Sequence, residues 1–375
     1  MPEDRRTDGR GGRDALSRRA AVGRLAAGTL LLPALPRLLA ALAPATPRVA
    51  PLRLLLLLPA DAPAALAAAV RDGATMGAEE AQRAATLLGA SVELVTEPLP
   101  ADAAAVARRV RDAGAGALLG GLGEADALLL AAAAEAAAIP FLNVAAASDE
   151  LRGARCGAHL FHVAPSHAMR LDAALLWLAG REDAARWQLV LPAGAAGDRL
   201  RARVRRAAAD EPALAAALDA AGGAPRLVIE AAGEQSASDA ATVVVWHHAL
   251  ERYGAAQVND RFGARFGRAM PEAAWPAWVA AKIAWEAASG PRATLPAPRR
   301  LAAAGARYDG HKGRPLDFRR WDHQLRQPLY VATRAPDGAP RLASVPPDGG
   351  ETPSRTVLDR LGATAAESAC RMGGG

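Results

Sequence analysis

The chain has 375 residues, 51% hydrophobic and 22% charged, with a formal net charge of +6. That is enough apolar sequence for a large core and suits two domain-sized units better than one. Arginine is scattered throughout and lysine is confined to Lys282 and Lys312; no Lys/Arg block interleaves with aromatics, which argues against nucleic-acid binding. Two cysteines, Cys156 and Cys370, are too few for a disulfide scaffold. They are compatible with one bridge or with two free thiols.

The first 45 residues read as an export signal. A polar, charged front leads to the pair Arg18–Arg19, then to an Ala/Leu stretch that ends in Ala43-Pro44-Ala45. This order of charge, apolar stretch and small residues predicts a twin-arginine-type signal peptide over 1–45, with the working chain starting near Thr46 in a periplasm. Arg24, Pro33, Pro36 and Arg37 interrupt the stretch, whereas a permanent membrane anchor needs roughly 20 uninterrupted apolar residues.

From residue 51 the pattern alternates. "LRLLLLLP" is an apolar run short enough for a strand covered on both faces. A long helix follows, with Gly73 and Gly77 set for close packing, then the strand "ASVELVTEP". "ADAAAVARRVRDAG" is an amphipathic helix, "AGALLGG" a third strand, "EADALLLAAAAEAAA" a helix, and "IPFLNVAA" and "HLFHVAPS" the fourth and fifth strands. A second series opens with "SHAMRLDAALLWLAG" as helix and "RWQLVLPAG" as strand, continues through "PRLVIEAAG" and "ATVVVWHH", and ends on "PLYVAT" as the last strand. Repeated β-α-β units of this kind make an α/β protein with two doubly wound lobes around a cleft.

Known catalytic patterns are missing. "GGLGEAD" lacks the third glycine of a dinucleotide fingerprint, Asp126 standing in its place. His159 and His162 fall on opposite faces of a strand, and no HExxH or CxxC occurs. There is no G-x-S-x-G; Ser148 and Ser166 each precede a helical stretch and read as N-caps. A cleft without a catalytic constellation favours a binder over an enzyme.

Three stretches then carry a resemblance: "DGATMGAEEAQRAATLLGASVELV", "GALLGGLGEADALLLAAAAEAAAIPFLNVAAASDELR" and "LFHVAPSHAMRLDAALLWLA". They resemble the type I periplasmic solute-binding proteins of ABC transporters, in the branched-chain amino-acid, receptor-like group. "HHALERYGAAQVNDRFGARFGRAMPEAAWPAWVAAKIAWEA" and "GHKGRPLDFRRWDHQLRQPLYVAT" are similar to the subgroup associated with PQQ-dependent alcohol dehydrogenase systems.

The resemblance implies a type I periplasmic-binding-protein fold, two parallel-sheet lobes joined by three crossover strands, with an abbreviated second lobe. Lobe 1 would hold 46–163 and 246–316, lobe 2 164–245 and 317–335, and 336–375 would be a flexible tail. It implies a monomer that binds a small polar or anionic molecule between the lobes and serves an ABC permease, with no required cofactor and PQQ as a candidate ligand. Its ligand contacts would be Gly121, Gly123, Glu124, Ala147, Ser148, Ser166, Arg170, Asp198 and Glu230. The compressed second lobe leaves a second reading open, a periplasmic accessory or sensor protein with a degenerate site. In "DFRRWDHQLRQPLYVAT", Asp317, Arg319, Asp322 and Arg326 are expected to pair locally at the last crossover.

Overall fold

A computed structural model describes residues 51–179, 181–209, 212–219, 225–229, 240–345 and 355–372. The predicted signal peptide, 1–45, lies outside the described residues. The first sheet contains β1 (Leu52–Leu58), β2 (Val92–Pro98), β3 (Ala117–Gly120), β4 (Phe141–Asn143) and β5 (Leu160–His162). They run parallel in the order β2-β1-β3-β4-β5. Successive side chains on a strand point to opposite faces, so Leu54 and Leu56 enter one core while Leu55 and Leu57 enter another. Both faces are apolar because both are covered.

The helices that cover this sheet are α1 (Ala64–Leu87), α2 (Ala103–Ala113) and α3 (Glu124–Ala137). Asp102 starts α2 by accepting from the Ala105 N–H at 2.7 Å, and Gly114 ends it in the left-handed region. Further on, α4 (His167–Ala179), α5 (Gly194–Ala207) and α6 (Pro212–Asp219) accompany the second sheet, whereas α7 (Ala255–Phe266) and α8 (Ala274–Ser289) return to the first lobe. There α8 lies against α1 at very close range, through Gly73 and Gly77.

The second sheet has five strands. β6 (Gln188–Val190), β7 (Arg226–Val228) and β8 (Ala240–Val244) are parallel; β12 (Leu329–Arg334) runs antiparallel to β8 and to β13 (Pro340–Val345). A small antiparallel sheet of β9 (Tyr308–Asp309), β10 (Pro315–Phe318) and β11 (Leu325–Arg326) lies at the last passage between lobes. The chain passes between the large sheets three times: after β5, after β8, and from β11 into β12.

Two expectations are corrected here. "PLYVAT" is not the last strand, since β12 is flanked by β8 on one side and β13 on the other. Nor is 336–375 a loose tail over its described part. Residues 340–345 complete the sheet, α9 (Arg355–Leu358) follows further along, and Leu358, Leu361 and Cys370 are buried. The misreading came from composition: Pro, Gly and Asp mark turns, yet the bonds that hold this segment are made by its backbone. Cys370 is joined to Cys156 by a disulfide, which decides between the two states the sequence left open.

The polar knot at 317–326 does pair locally. Arg326 Nη1 donates to Asp317 at 2.9 Å, and Arg319 lies 3.5 Å from Asp322. It also does something the sequence did not announce: Arg319 Nη2 donates to the Leu358 and Leu361 carbonyls, at 2.5 and 2.7 Å, and Arg326 Nε to Asp359 at 2.5 Å. Phe318 is buried edge-on against Phe161, and Trp321 Nε1 donates to the Ala363 carbonyl. The knot therefore clamps the C-terminal segment at the third passage between lobes.

Candidate functional site

The loop after β4 is shaped by Asn143, which is fully buried. Its Oδ1 accepts from the Ala146 N–H at 2.9 Å, and its Nδ2 donates to the Ala146 carbonyl and to His162 Nδ1. His162 must then carry its proton on Nε2, which donates to the Leu151 carbonyl at 3.1 Å. Burial, with Arg152 nearby, holds this imidazole well below its ordinary pKa.

Arg152 ties the hinge together. Its Nε donates to Gln324 Oε1, its Nη1 to the Ala146 and Ser148 carbonyls, and its Nη2 to the Ala164 carbonyl, all at 2.7–2.9 Å. Those acceptors belong to the β4 loop, the first passage between lobes and the third. All four are neutral, so among the described residues this buried guanidinium has no carboxylate in direct contact. Desolvation lowers its pKa to about 10, partly offset by Asp149 and Asp322, so it stays charged at neutral pH.

Beside Arg152 lies a cavity of about 160 Å³, lined from both lobes. Asp149 and Arg152 face it from the first lobe. Arg199, Arg203 and Arg206 face it from α5 of the second, and Ser166, Arg319, Asp322 and Gln324 from the passages between them. Five guanidiniums against two carboxylates make it a cationic pocket, suited to a small anion. Some of that charge is already committed: Arg203 forms a two-pronged pair with Asp172, and Arg199 lies 3.6 Å from Glu150 across the lobes. At the neighbouring loop, Ser148 Oγ and His167 Nδ1 are buried without a hydrogen-bond partner among the described residues.

Of the nine residues expected at the ligand, only Ser166 lines this cavity. It is also the N-cap of α4, accepting from the Met169 N–H at 3.2 Å; Ser148, read the same way, caps nothing with its side chain. Arg170 is drawn elsewhere, since its guanidinium bonds to the Val243 carbonyl and to Glu272 at 2.7 Å. Asp198 is exposed and paired with Arg201. Ala147 is buried in the β4 loop without a polar side chain to offer.

Gly121 is buried under Phe141 and Asn143, while Gly123 caps α3 with its N–H given to Asp126 and Glu124 pairs with Arg155 at 3.0 Å. The N-cap N–H of α3 is thus taken up by the helix's own carboxylate. Likewise Asp149 accepts from the Ala168 N–H and closes the α4 N-terminus. Glu230 lies outside the described residues. Sequence reading missed Asn143, Gln324 and α5's arginines; the one signal for α5 was its "DRLRARVRR" run, which repeats arginine at helical spacing.

The histidines of the hinge give a pH dependence. His323 stacks on Phe161 with its Nδ1 on the Leu160 carbonyl, and burial lowers its pKa to about 4. His162 is shifted in the same direction. In the unfolded chain both titrate near 6.5, so as pH falls below that value the unfolded state takes up protons that the folded state refuses. Stability should drop by up to about 1.4 kcal/mol per pH unit per histidine. Asp322, whose carboxyl is pushed up by burial, opposes this at lower pH, so the slope is best read between pH 7 and 5.5 by urea midpoints. His323→Gln should flatten it.

Comparison with known proteins follows the geometry. A family model described as periplasmic binding protein matches residues 51–213. No curated protein matches the chain. Solved structures do. A branched-chain amino-acid ABC transporter periplasmic ligand-binding protein from Burkholderia xenovorans superposes with a TM-score of 0.65 at 15% identity, covering 86% of this chain and 99% of that one. An amino-acid ABC transporter substrate-binding protein from Pseudomonas fluorescens gives 0.64 at 16% identity over the same shares. A leucine-, isoleucine-, valine-, threonine- and alanine-binding protein from Brucella ovis, in its closed conformation, gives 0.63 at 14%, again covering 86% and 99%. The fold is that of the type I periplasmic binding proteins. In this chain the first and third passages between lobes meet at Arg152, Gln324 and the cationic cavity.

Proposed function

We propose that this protein is the solute-binding component of an ABC transporter, working in the periplasm, and that it is a binder rather than an enzyme. It closes its lobes over a small anionic solute and presents the closed form to a membrane permease. The observation that carries the reading is the arginine-lined cavity shared by both lobes. A carboxylate or other oxyanion there would draw Arg199 and Arg203 of the second lobe towards Arg152 of the first, which is the direction of closure. The matched structures include an amino-acid-binding protein, and amino acids carry a carboxylate; PQQ carries several, and the C-terminal motif resembles the subgroup associated with PQQ-dependent alcohol dehydrogenase systems. Both therefore belong in the test.

Thermal shift with amino acids, PQQ, short alcohols and inorganic phosphate checks this directly. A ligand at a hundredfold excess over its Kd should add about 2.7 kcal/mol of stability. Arg199 is half exposed, so Arg199→Glu leaves the fold intact, and it should weaken binding of the active anion at least about tenfold, the size of one lost charge-assisted contact. Unchanged affinity in that variant would sink the anion reading.

One observation favours the alternative, a periplasmic accessory or sensor protein with a degenerate site. The first-lobe loops offer Ala145, Ala146 and Ala147 at β4 and a helix N-terminus already closed by Asp126 at β3. No shift with any member of the panel would select it.

A further inference from the structure

Residues 355–372 contact the third passage and both lobes. At the third passage Arg319 holds the Leu358 and Leu361 carbonyls and Trp321 holds that of Ala363. On the second lobe, Asp172 of α4 accepts from the Gly362 N–H at 2.6 Å and Arg203 of α5 donates to the Gly362 carbonyl at 2.9 Å. Only glycine suits that position, with φ at +85° and Met169 Cγ 2.9 Å from where a Cβ would sit. On the first lobe, Cys370 is bonded to Cys156, in the loop between the 3-10 turn Asp149–Arg152 and β5. The segment thus leaves the hinge, docks on the second lobe, and is fastened covalently to the first.

Seven residues, eight steps along the backbone, separate the second-lobe dock at Gly362 from the first-lobe bond at Cys370. Fully extended they reach at most about 29 Å. They are wound, with the Glu367 and Ser368 N–H groups both on the Thr364 carbonyl. The segment also walls the cationic cavity with Gly362 and Ala363, so it spans the lobes beside the candidate site and not at a remote edge.

We propose that the Cys156–Cys370 disulfide is a redox-operated catch on the hinge, which limits lobe opening when oxidised and releases it when reduced. The reductant is a dithiol. Cys156 is partly exposed and Cys370 buried, so one thiolate of the dithiol attacks Cys156 Sγ, and Cys370 leaves as a thiolate and takes a proton. The second thiol then attacks the mixed disulfide, and Cys156 leaves as a thiol. Two electrons and two protons pass from the dithiol to the protein, and the dithiol ends as a disulfide. With the catch open, only the dock at Gly362 and the clamp at Arg319 hold the segment.

The test compares the full chain, oxidised and treated with dithiothreitol, by amide hydrogen exchange without ligand. The catch predicts at least tenfold faster exchange at the hinge amides of His162, Val163, Ala164 and Arg319 on reduction, with the amides of β1 and β3 unchanged. Equal exchange in both states overturns it. So does faster exchange spread evenly through both sheets, which would make the bond a general staple. If reduction unfolds the chain, the single variant Asp172→Asn, with the disulfide intact, serves instead. It loosens the second-lobe dock and should speed exchange at the same hinge amides, and no change there overturns the proposal. The catch presumes the binding reading only for its consequence, faster release of a bound anion. Inorganic phosphate binding is measured separately, so failure to bind phosphate leaves the exchange result standing on its own.

Discussion

Replacing Arg319 with alanine should cost about 3–5 kcal/mol, the range for removing one member of a buried, hydrogen-bonded charge network. Its side chain is 1% exposed. It donates to two carbonyls of the C-terminal segment and sits between Asp322 and Asp359 at 3.5 and 3.6 Å. Its removal leaves the Leu358 and Leu361 carbonyls without that donor and leaves Asp322, buried on the same hinge, with a poorer counter-charge. Chemical denaturation should show the loss, and limited proteolysis should cut first within 355–372. The neighbouring Arg320 is exposed, so Arg320→Ala should change stability by no more than about 0.5 kcal/mol. Equal effects of the two variants would show that the clamp is not what holds the segment.

The second large effect is expected at Gly73. A Cβ there would lie 2.0 Å from the Ala274 carbonyl oxygen and 2.8 Å from its carbon, both backbone atoms of α8. Nothing flexible can move aside, so α1 and α8 would have to separate by about an ångström along their shared face. Alanine would gain up to about 1 kcal/mol of helix propensity, yet the packing loss outweighs it. Gly73→Leu should lower stability by about 3 kcal/mol or more, at or beyond the usual range for overpacking. Gly77, with the Trp278 carbonyl 2.3 Å from its would-be Cβ, should behave alike. Gly89 has open space around it and φ at +66°, so Gly89→Ala should cost only the local strain of about 1 kcal/mol. Parallel thermal melts of the three variants rank them.

Much of the first lobe was legible because its signals are periodic. A leucine run bounded by turns has one sensible fate in an α/β protein, and the two glycines a turn apart on α1 could be read as a close helix contact. The second lobe was legible in order but not in extent. β13 carries no apolar run; Pro340–Val345 is "PRLASV", and it becomes a strand because β12 offers it an unpaired edge. The candidate site was mostly hidden. Arg152 could not be told from the chain's many other arginines, because its role depends on three carbonyls and one amide that meet only in the fold. Ser166, named as a ligand contact, both caps α4 and lines the cavity. Gly123 and Ser166 stand at helix starts where Asp126 and Asp149 accept backbone N–H groups from within the chain, and a pattern of residue types does not say which carboxylate arrives first.

The bond between residues 156 and 370, 214 positions apart, also changes the topology of the molecule as an object. It closes more than half the polypeptide into a single loop that contains all of the second lobe and every passage between lobes. A protease that cuts once anywhere inside that loop yields no separate fragment; the nicked chain still migrates as one species until it is reduced. The loop also cannot be closed on a growing chain until residue 370 has been made, after the strands and helices of both lobes. Formation of this ring is therefore a late event in the life of the molecule, after both lobes have had time to take shape.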